Sequence, residues 1–225
     1  MLEQDELVKL VSDKIKKYNQ TKTQNNDANE NKIENENGYR EIPHAPEGNC
    51  DKVSILRNNP IHAAAKALLL AVKFKAGKKT GVKHVLAILP GDRSVGFEKV
   101  AKACDGVRVS MAPTDKVETL LNCVIGRVPP FSFNPEVQVI VDRELVKDNQ
   151  KIYFSPGRLD LSYEMNAKDY EQIVLIDGGK VCSFSNPIHM IPAKDTPIAA
   201  DNGRNDANVS ATSALEPEKV SNSLH

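Results

Sequence analysis

Two apolar runs in the middle of the chain, Ala67 to Phe74 and His84 to Leu89, are separated by a short segment holding Gly77 and Gly81. Runs of this length bounded by glycine predict two neighbouring strands joined by a turn. Side chains alternate along a strand, so Lys66 shares a row with Leu68, Leu70, Val72 and Phe74, the row expected to face the core. Lys73 and Lys75 fall on the other row. A lysine at the mouth of an apolar face either snorkels its ammonium into solvent or holds a cation at the edge of a cleft, and the pattern allows both.

Leu2, Leu7, Leu10, Val11 and Ile15 recur at helical spacing and predict an amphipathic helix over residues 1–17 that packs on the domain. Residues 18–38 are Asn, Gln, Glu, Lys and Thr with scarcely an apolar position, the composition of a disordered insert. Tyr39 to His44 reads as a short strand, and Pro46 to Pro60 as irregular with one helical turn. Beyond the central pair, Phe97, Val100, Ala101 and Cys104 predict a helix, Val107 to Met111 a strand, and Pro113 onward a second helix with Val117, Leu120 and Leu121 buried. The Gly- and Pro-rich stretch Val124 to Phe131 fits no regular element. Val137 to Val141, Lys151 to Ser155 and Leu159 to Met165 read as strands, 167–174 as a short helix, and Ile173 to Ile176 as an added edge strand. Residues 187–225 read as a disordered tail. Strands with intervening helices, some joined by tight turns, predict a single α+β domain over 39–180, a mixed and mostly antiparallel sheet with helices packed around it.

Composition changes this picture little, but the distribution of charge does. The 225 residues carry 30 basic and 30 acidic side chains, yet residues 51–180 hold 20 basic against 15 acidic. From Lys66 to Lys83 there are six lysines and no acid. Lys73, Lys75, Lys78, Lys79 and Lys83 suit a phosphate backbone, and equally suit protection of an exposed hairpin edge. Cys50, Cys104, Cys123 and Cys182 are too scattered for a zinc or redox motif and read as reduced thiols. With no secretory signal pattern and no long apolar run, a cytoplasmic protein without membrane association is expected.

The five histidines have no partner at metal or triad spacing, and the nucleophile-elbow, P-loop and dinucleotide motifs are absent from the sequence. No metal or cofactor is expected. What remains is a possible inward lysine and two Gly/Pro loops, Gly126 to Ser132 and Ser155 to Leu161, whose backbones can come close to a ligand or can be ordinary turns.

The runs AAAKALLL, LAILPGDRSVGFEKVAKA, RVSMAPTDKVETLLNC, GRVPPFSF, VDREL, IYFSPGRLDLSYEM and DYEQIV occur in that order between about residues 39 and 175. Together they resemble the YbaK/ProX family of aminoacyl-tRNA deacylases, which includes editing domains associated with prolyl-tRNA synthetase. The resemblance implies a hydrolase of mischarged tRNA, with tRNA as partner and a synthetase as a candidate second partner. It places Lys66 on the family lysine that positions the charged 3′ end, Gly126 and Pro130 on the G-x-x-x-P loop beside the scissile ester, and Gly157 on the second loop closing the pocket. Arg127 and Ser132 stand where many members have glycine, which implies a narrowed or reshaped pocket. His44 matches a histidine frequent at the end of the first strand, and the Lys73 to Lys83 segment is a candidate tRNA contact. The substrate expected first is alanine on proline tRNA, with cysteine or serine behind it. Rival readings are a non-catalytic tRNA- or synthetase-binding module of the same fold, and a hydrolase or binder of a small free ligand.

Overall fold

The two central apolar runs form one long antiparallel hairpin, β2 (Ala65–Ala76) and β3 (Lys79–Pro90), with Lys66 opposite Leu89 and Ala76 opposite Lys79. The structure is a computed structural model that describes residues 3–25, 37–77 and 79–188. Residues 26–36 of the expected insert, Lys78 and the expected tail from 189 onward lie outside these. Around the hairpin runs a five-stranded sheet in the order β5 (Arg108–Met111), β2, β3, β6 (Val137–Asp142), β9 (Lys180–Cys182). The β3–β6 and β6–β9 pairs are parallel; β2 pairs antiparallel with both its neighbours. A second, antiparallel sheet has the order β1 (Arg40–Pro43), β8 (Leu161–Asn166), β7 (Lys151–Phe154). A small pair joins β4 (Arg93–Val95) to β10 (Ser185–Pro187).

The hairpin was expected to bury one row. It buries both. Leu70 and Val72 pack with Val85, Ala87, Leu89, Val100, Cys104 and Phe184, under α3 (Phe97–Ala103). Leu69, Leu86 and Ile88 face the other way, into the main core with Phe131, Phe154, Tyr163 and Tyr170. An interior strand covered on both sides reads as a nearly continuous apolar run, which hides its alternation.

Leu7, Val11 and Ile15 lie in that main core, four residues apart on the inner stripe of α1 (Gln4–Asn25). The helix runs eight residues past its expected end at 17 because polar contacts extend it. Lys22 pairs with Asp169 at 2.7 Å, and Thr21 and Thr23 bond back to the carbonyls of Lys17 and Asn19. A second difference falls at the other end of the domain. The expected edge strand Ile173 to Ile176 is the last turn of α6 (Ala167–Ile176), which Asn166 caps by accepting from the N–H groups of Lys168 and Asp169. Gly178, at φ +78°, turns the chain, and β9 supplies the edge instead. Two short helices, α4 (Thr114–Leu121) and α5 (Arg143–Lys147), complete the cover. No helix among the described residues is long and apolar enough to cross a membrane.

Candidate functional site

Three loops and one turn meet near the start of β2. The first loop, residues 44–49, leads from β1 into α2 (Cys50–Arg57). It is strung along the 155–160 loop, with His44 N–H donating to Asp160 O at 3.0 Å and Glu47 N–H to Leu159 O at 2.9 Å. Glu47 then folds its carboxylate over the next two residues and accepts from the N–H groups of Gly48 and Asn49 at 2.9 and 2.7 Å. Those bonds hold its carboxyl below the usual glutamate range. Asn49 caps α2 by accepting from Asp51 and Lys52.

Gly48 packs against Gly126, and a Cβ built on Gly126 would stand 3.4 Å from the Cα of Gly48. Gly126 has φ +93°, so a larger residue there is strained even where space allows it. Pro129 and Pro130 have no N–H, and Arg127 N–H reaches toward Val124 O at 3.4 Å. Between Gly126 and Pro130, the N–H groups of Gly126 and Val128 are therefore the remaining backbone donors. Pro130 is buried, and its carbonyl accepts from Tyr170 at 2.9 Å. Phe131, edge-on to Phe154 and Tyr170, anchors the loop in the core.

Lys66 has backbone carbonyls rather than a carboxylate as its hydrogen-bond partners. Its half-buried ammonium donates to Gly91 O at 3.0 Å and Arg93 O at 2.5 Å, on the turn that ends β3. An ammonium has three donors, so one remains. Burial pushes its pKa down, while Cys50, Asp51 and Asp92 oppose that shift. Cys50 stands at the same turn: a Cβ on Gly91 would come 2.9 Å from its sulfur and 2.7 Å from Ile61 Cδ1. The spatial sequence is Gly126, Gly48, then Cys50, Gly91 and Lys66.

Of the two departures from the family pattern, Arg127 ties one loop to another and Ser132 closes its own turn. Arg127 is buried and donates from Nη1 to Gly157 O at 3.2 Å; its Nε has no partner. The hydroxyl of Ser132 is spent in its own turn, donating to Asn134 O and accepting from Asn134 N–H. Gly157 itself, at φ +122°, lies under α1, where a Cβ would come 2.9 Å from Leu7 Cδ2 and Cγ. The neighbouring Arg158 is chelated by Asp160 and reaches Asp5 of α1 at 2.9 Å.

His44 belongs to a network that sequence reading missed. Its Nδ1 faces Ala45 O at 2.8 Å, an acceptor only, so Nδ1 carries a proton, and its Nε2 pairs with the Ser162 hydroxyl 2.7 Å away. Ser162 in turn accepts from Arg57 Nη1 at 3.3 Å. Arg57 is buried with Ser54, Asn59 and Ser162 as partners, and burial pushes its pKa down to about 10. Nothing in the stretch around Arg57 signals this role, because Ser162, the partner that links it to His44, lies on a strand 105 residues away.

A cation on a turn, backbone donors on a glycine loop and a second loop tied to the first thus gather near the start of β2. Residues 44–173 match the aminoacyl-tRNA editing domain, and the chain belongs to that family, the YbaK/ProX deacylases, which cleave the ester between an amino acid and its tRNA. The multifunctional Ser/Thr-tRNA deacylase ProXp-y of Escherichia coli strain K12 is 36% identical over 135 residues, 60% of this chain and 78% of that protein. The same values hold for its counterpart in Escherichia coli O157:H7. Two solved structures share the fold. The hypothetical protein APE2540 superposes with a TM-score of 0.57 at 21% identity, over 66% of this chain and 91% of that one. A candidate trans-editing enzyme for prolyl tRNA synthetase gives 0.55 at 13% identity, over 78% and 97%.

Proposed function

We propose that this chain acts in trans to remove serine or threonine from mischarged tRNA. The observation that carries the choice of amino acid is the 36% identity, over 135 residues, to a protein named as a Ser/Thr-tRNA deacylase. Alanine on proline tRNA, the first expectation from sequence, ranks behind it.

The chemistry asks little of the side chains. An aminoacyl ester is already activated, so hydrolysis is promoted by placing a water and stabilising the developing oxyanion with fixed donors. In this reading the N–H groups of Gly126 and Val128 meet the oxyanion, and the third donor of Lys66 orients the charged 3′ end. Support for the second role is that Lys66 has only neutral carbonyls as hydrogen-bond partners, which leaves its charge for an anionic ligand. His44 is a positioning residue, since both its nitrogens are engaged with Ala45 and Ser162. The ribose hydroxyl of the substrate then assists the attacking water. Editing is needed because a synthetase pocket discriminates by only about 1–3 kcal/mol per methylene, and a second sieve supplies the remainder. The partner required is tRNA; a synthetase enters as the source of the mischarged product.

The test is release of amino acid from seryl-, threonyl-, alanyl-, cysteinyl- and prolyl-tRNA by wild type and Lys66→Ala. Release of serine or threonine, lost in the variant, is the expected result. Release confined to alanine on proline tRNA would replace serine and threonine as substrates, and no release from any of the five would sink the reading.

A further inference from the structure

The lysines between Lys73 and Lys83 do not make one surface. The β2–β3 register sends Lys73 and Lys75 to one face of the sheet and Lys79 and Lys83 to the other. On the second face Lys83 is half-buried over the ring of Phe74, 5.8 Å from its centroid. On the first, Lys73 stands directly opposite Arg108 of β5. Side chains so placed have Cβ atoms roughly 4.5–5.5 Å apart, and like charges there destabilise the sheet. Among the described residues no carboxylate forms an ion pair with Lys73, Lys75 or Arg108, and all three are exposed.

Edge protection explains Arg108, on the edge strand β5, but not Lys73. Lysines blunt the edges of sheets, but Lys73 lies on an interior strand, paired with Val82 on one side and Arg108 on the other. The surface beside it is open, with Val82 51% exposed. Lys116 of α4 borders it: His84, in the same row as Val82, has its pKa lowered by burial and then by the charge of Lys116. Lys73, Lys75 and Arg108 thus cluster beside the exposed Val82, with Lys116 near His84. The row of Lys73 also faces the side of the sheet on which the main core, with Phe131 of the Gly126 loop, is built.

We propose that Lys73, Lys75 and Arg108, bordered by Lys116, hold the phosphate backbone of the paired stem of the tRNA whose 3′ end enters at Lys66. This rests on the deacylase reading and extends it to a docking surface. Charge complementarity names the occupant, since a polyanion removes the repulsion that the fold maintains. Lys73 lies seven residues beyond Lys66 on the same strand, roughly 23 Å at about 3.3 Å per residue, on the opposite face, the one that carries the main core and the Gly126 loop.

The experiment measures binding of bulk deacylated tRNA at several salt concentrations for wild type, Lys73→Gln with Arg108→Gln, and Lys79→Gln with Lys83→Gln. The first pair should lose about tenfold in affinity and flatten the plot of log K against log salt by about 2, at ~0.9 per phosphate released. The second pair should stay within about twofold of wild type. Removing the opposed charges should leave the unfolding temperature unchanged or higher, which separates loss of docking from loss of fold. Equal losses from both pairs, or no loss from the first, would overturn the proposal, as would wild type failing to bind tRNA. Hydrolysis of seryl-CCA trinucleotide by wild type is the independent arm. If that ester survives while the tRNA results come out as expected, the assigned substrate fails and the docking surface stands.

Discussion

Arg127 donates from Nη1 to the carbonyl of Gly157 at 3.2 Å, joining the two glycine loops of the site across 30 residues of sequence. Its guanidinium is buried with Nε unpartnered, an arrangement that costs stability and that the fold nonetheless keeps. The benefit is geometric: Gly126 and Gly157 cannot move independently.

Replacing that tie should therefore separate stability from activity. Arg127→Met retains much of the volume and removes the buried charge, so the unfolding temperature should stay level or rise. Amino acid release should fall about tenfold to a hundredfold, as expected when reacting groups are displaced by around 1 Å. A lower unfolding temperature with full activity would contradict the assignment.

Gly157 is held from above by α1. Gly157→Ala forces a side chain into φ +122° and toward Leu7, a strain of about 1–3 kcal/mol before the collision is counted. Leu7→Ala in the same chain should relieve the collision and leave the strain. A double-mutant cycle on stability and on kcat should thus show non-additivity in both. Strict additivity would mean that the helix does not brace the loop.

The pH dependence of activity should carry the signature of Lys66. Burial lowers its pKa from the ordinary 10.5, so the cation is lost as pH rises through a value below that. After subtraction of spontaneous ester hydrolysis, the rate should decline on the alkaline side earlier than a solvent-exposed lysine would allow. In Lys66→Arg that decline should vanish along with most of the rate, because guanidinium stays charged but does not reproduce the ammonium's two bonds. An unchanged alkaline limb in the variant would assign the titration to another group.

Thiol labelling maps the pocket without substitution. Cys50 and Cys182 are partly exposed, whereas Cys104 and Cys123 are buried, and burial pushes the Cys123 thiol up to about 11. Iodoacetamide at neutral pH should reach Cys50 and Cys182 first. Saturating tRNA should protect Cys50, which stands beside Gly91 and the Lys66 turn, and leave Cys182 as the internal control. Equal protection of both would place the substrate elsewhere.

Some of this was legible residue by residue. The alternation in Ala67 to Phe74 and His84 to Leu89 identified the hairpin, and the motif order from Lys66 to Tyr170 identified the family, since both are local properties of the chain. Helix α5 and the strand β9 went unread because each is only a few residues long, too short for either periodicity to register. The turn Ile173 to Ile176 was misread as a strand because four consecutive apolar residues fit either element.

By itself, then, the sequence determined where the glycines fall, which lysine begins the central strand, and which family the chain belongs to. Glycine's freedom at positive φ and the two-residue repeat of a strand act over a few bonds, so they are written locally. Only the tertiary structure decided that Lys66 rests on the carbonyls of Gly91 and Arg93, that Arg127 and Ser132 serve the loops, and that Arg57 supports His44 through Ser162. It also set Lys73 against Arg108 and apart from Lys83. Those relationships depend on strand register and on packing between distant segments, and neither is encoded in the spacing of any single stretch.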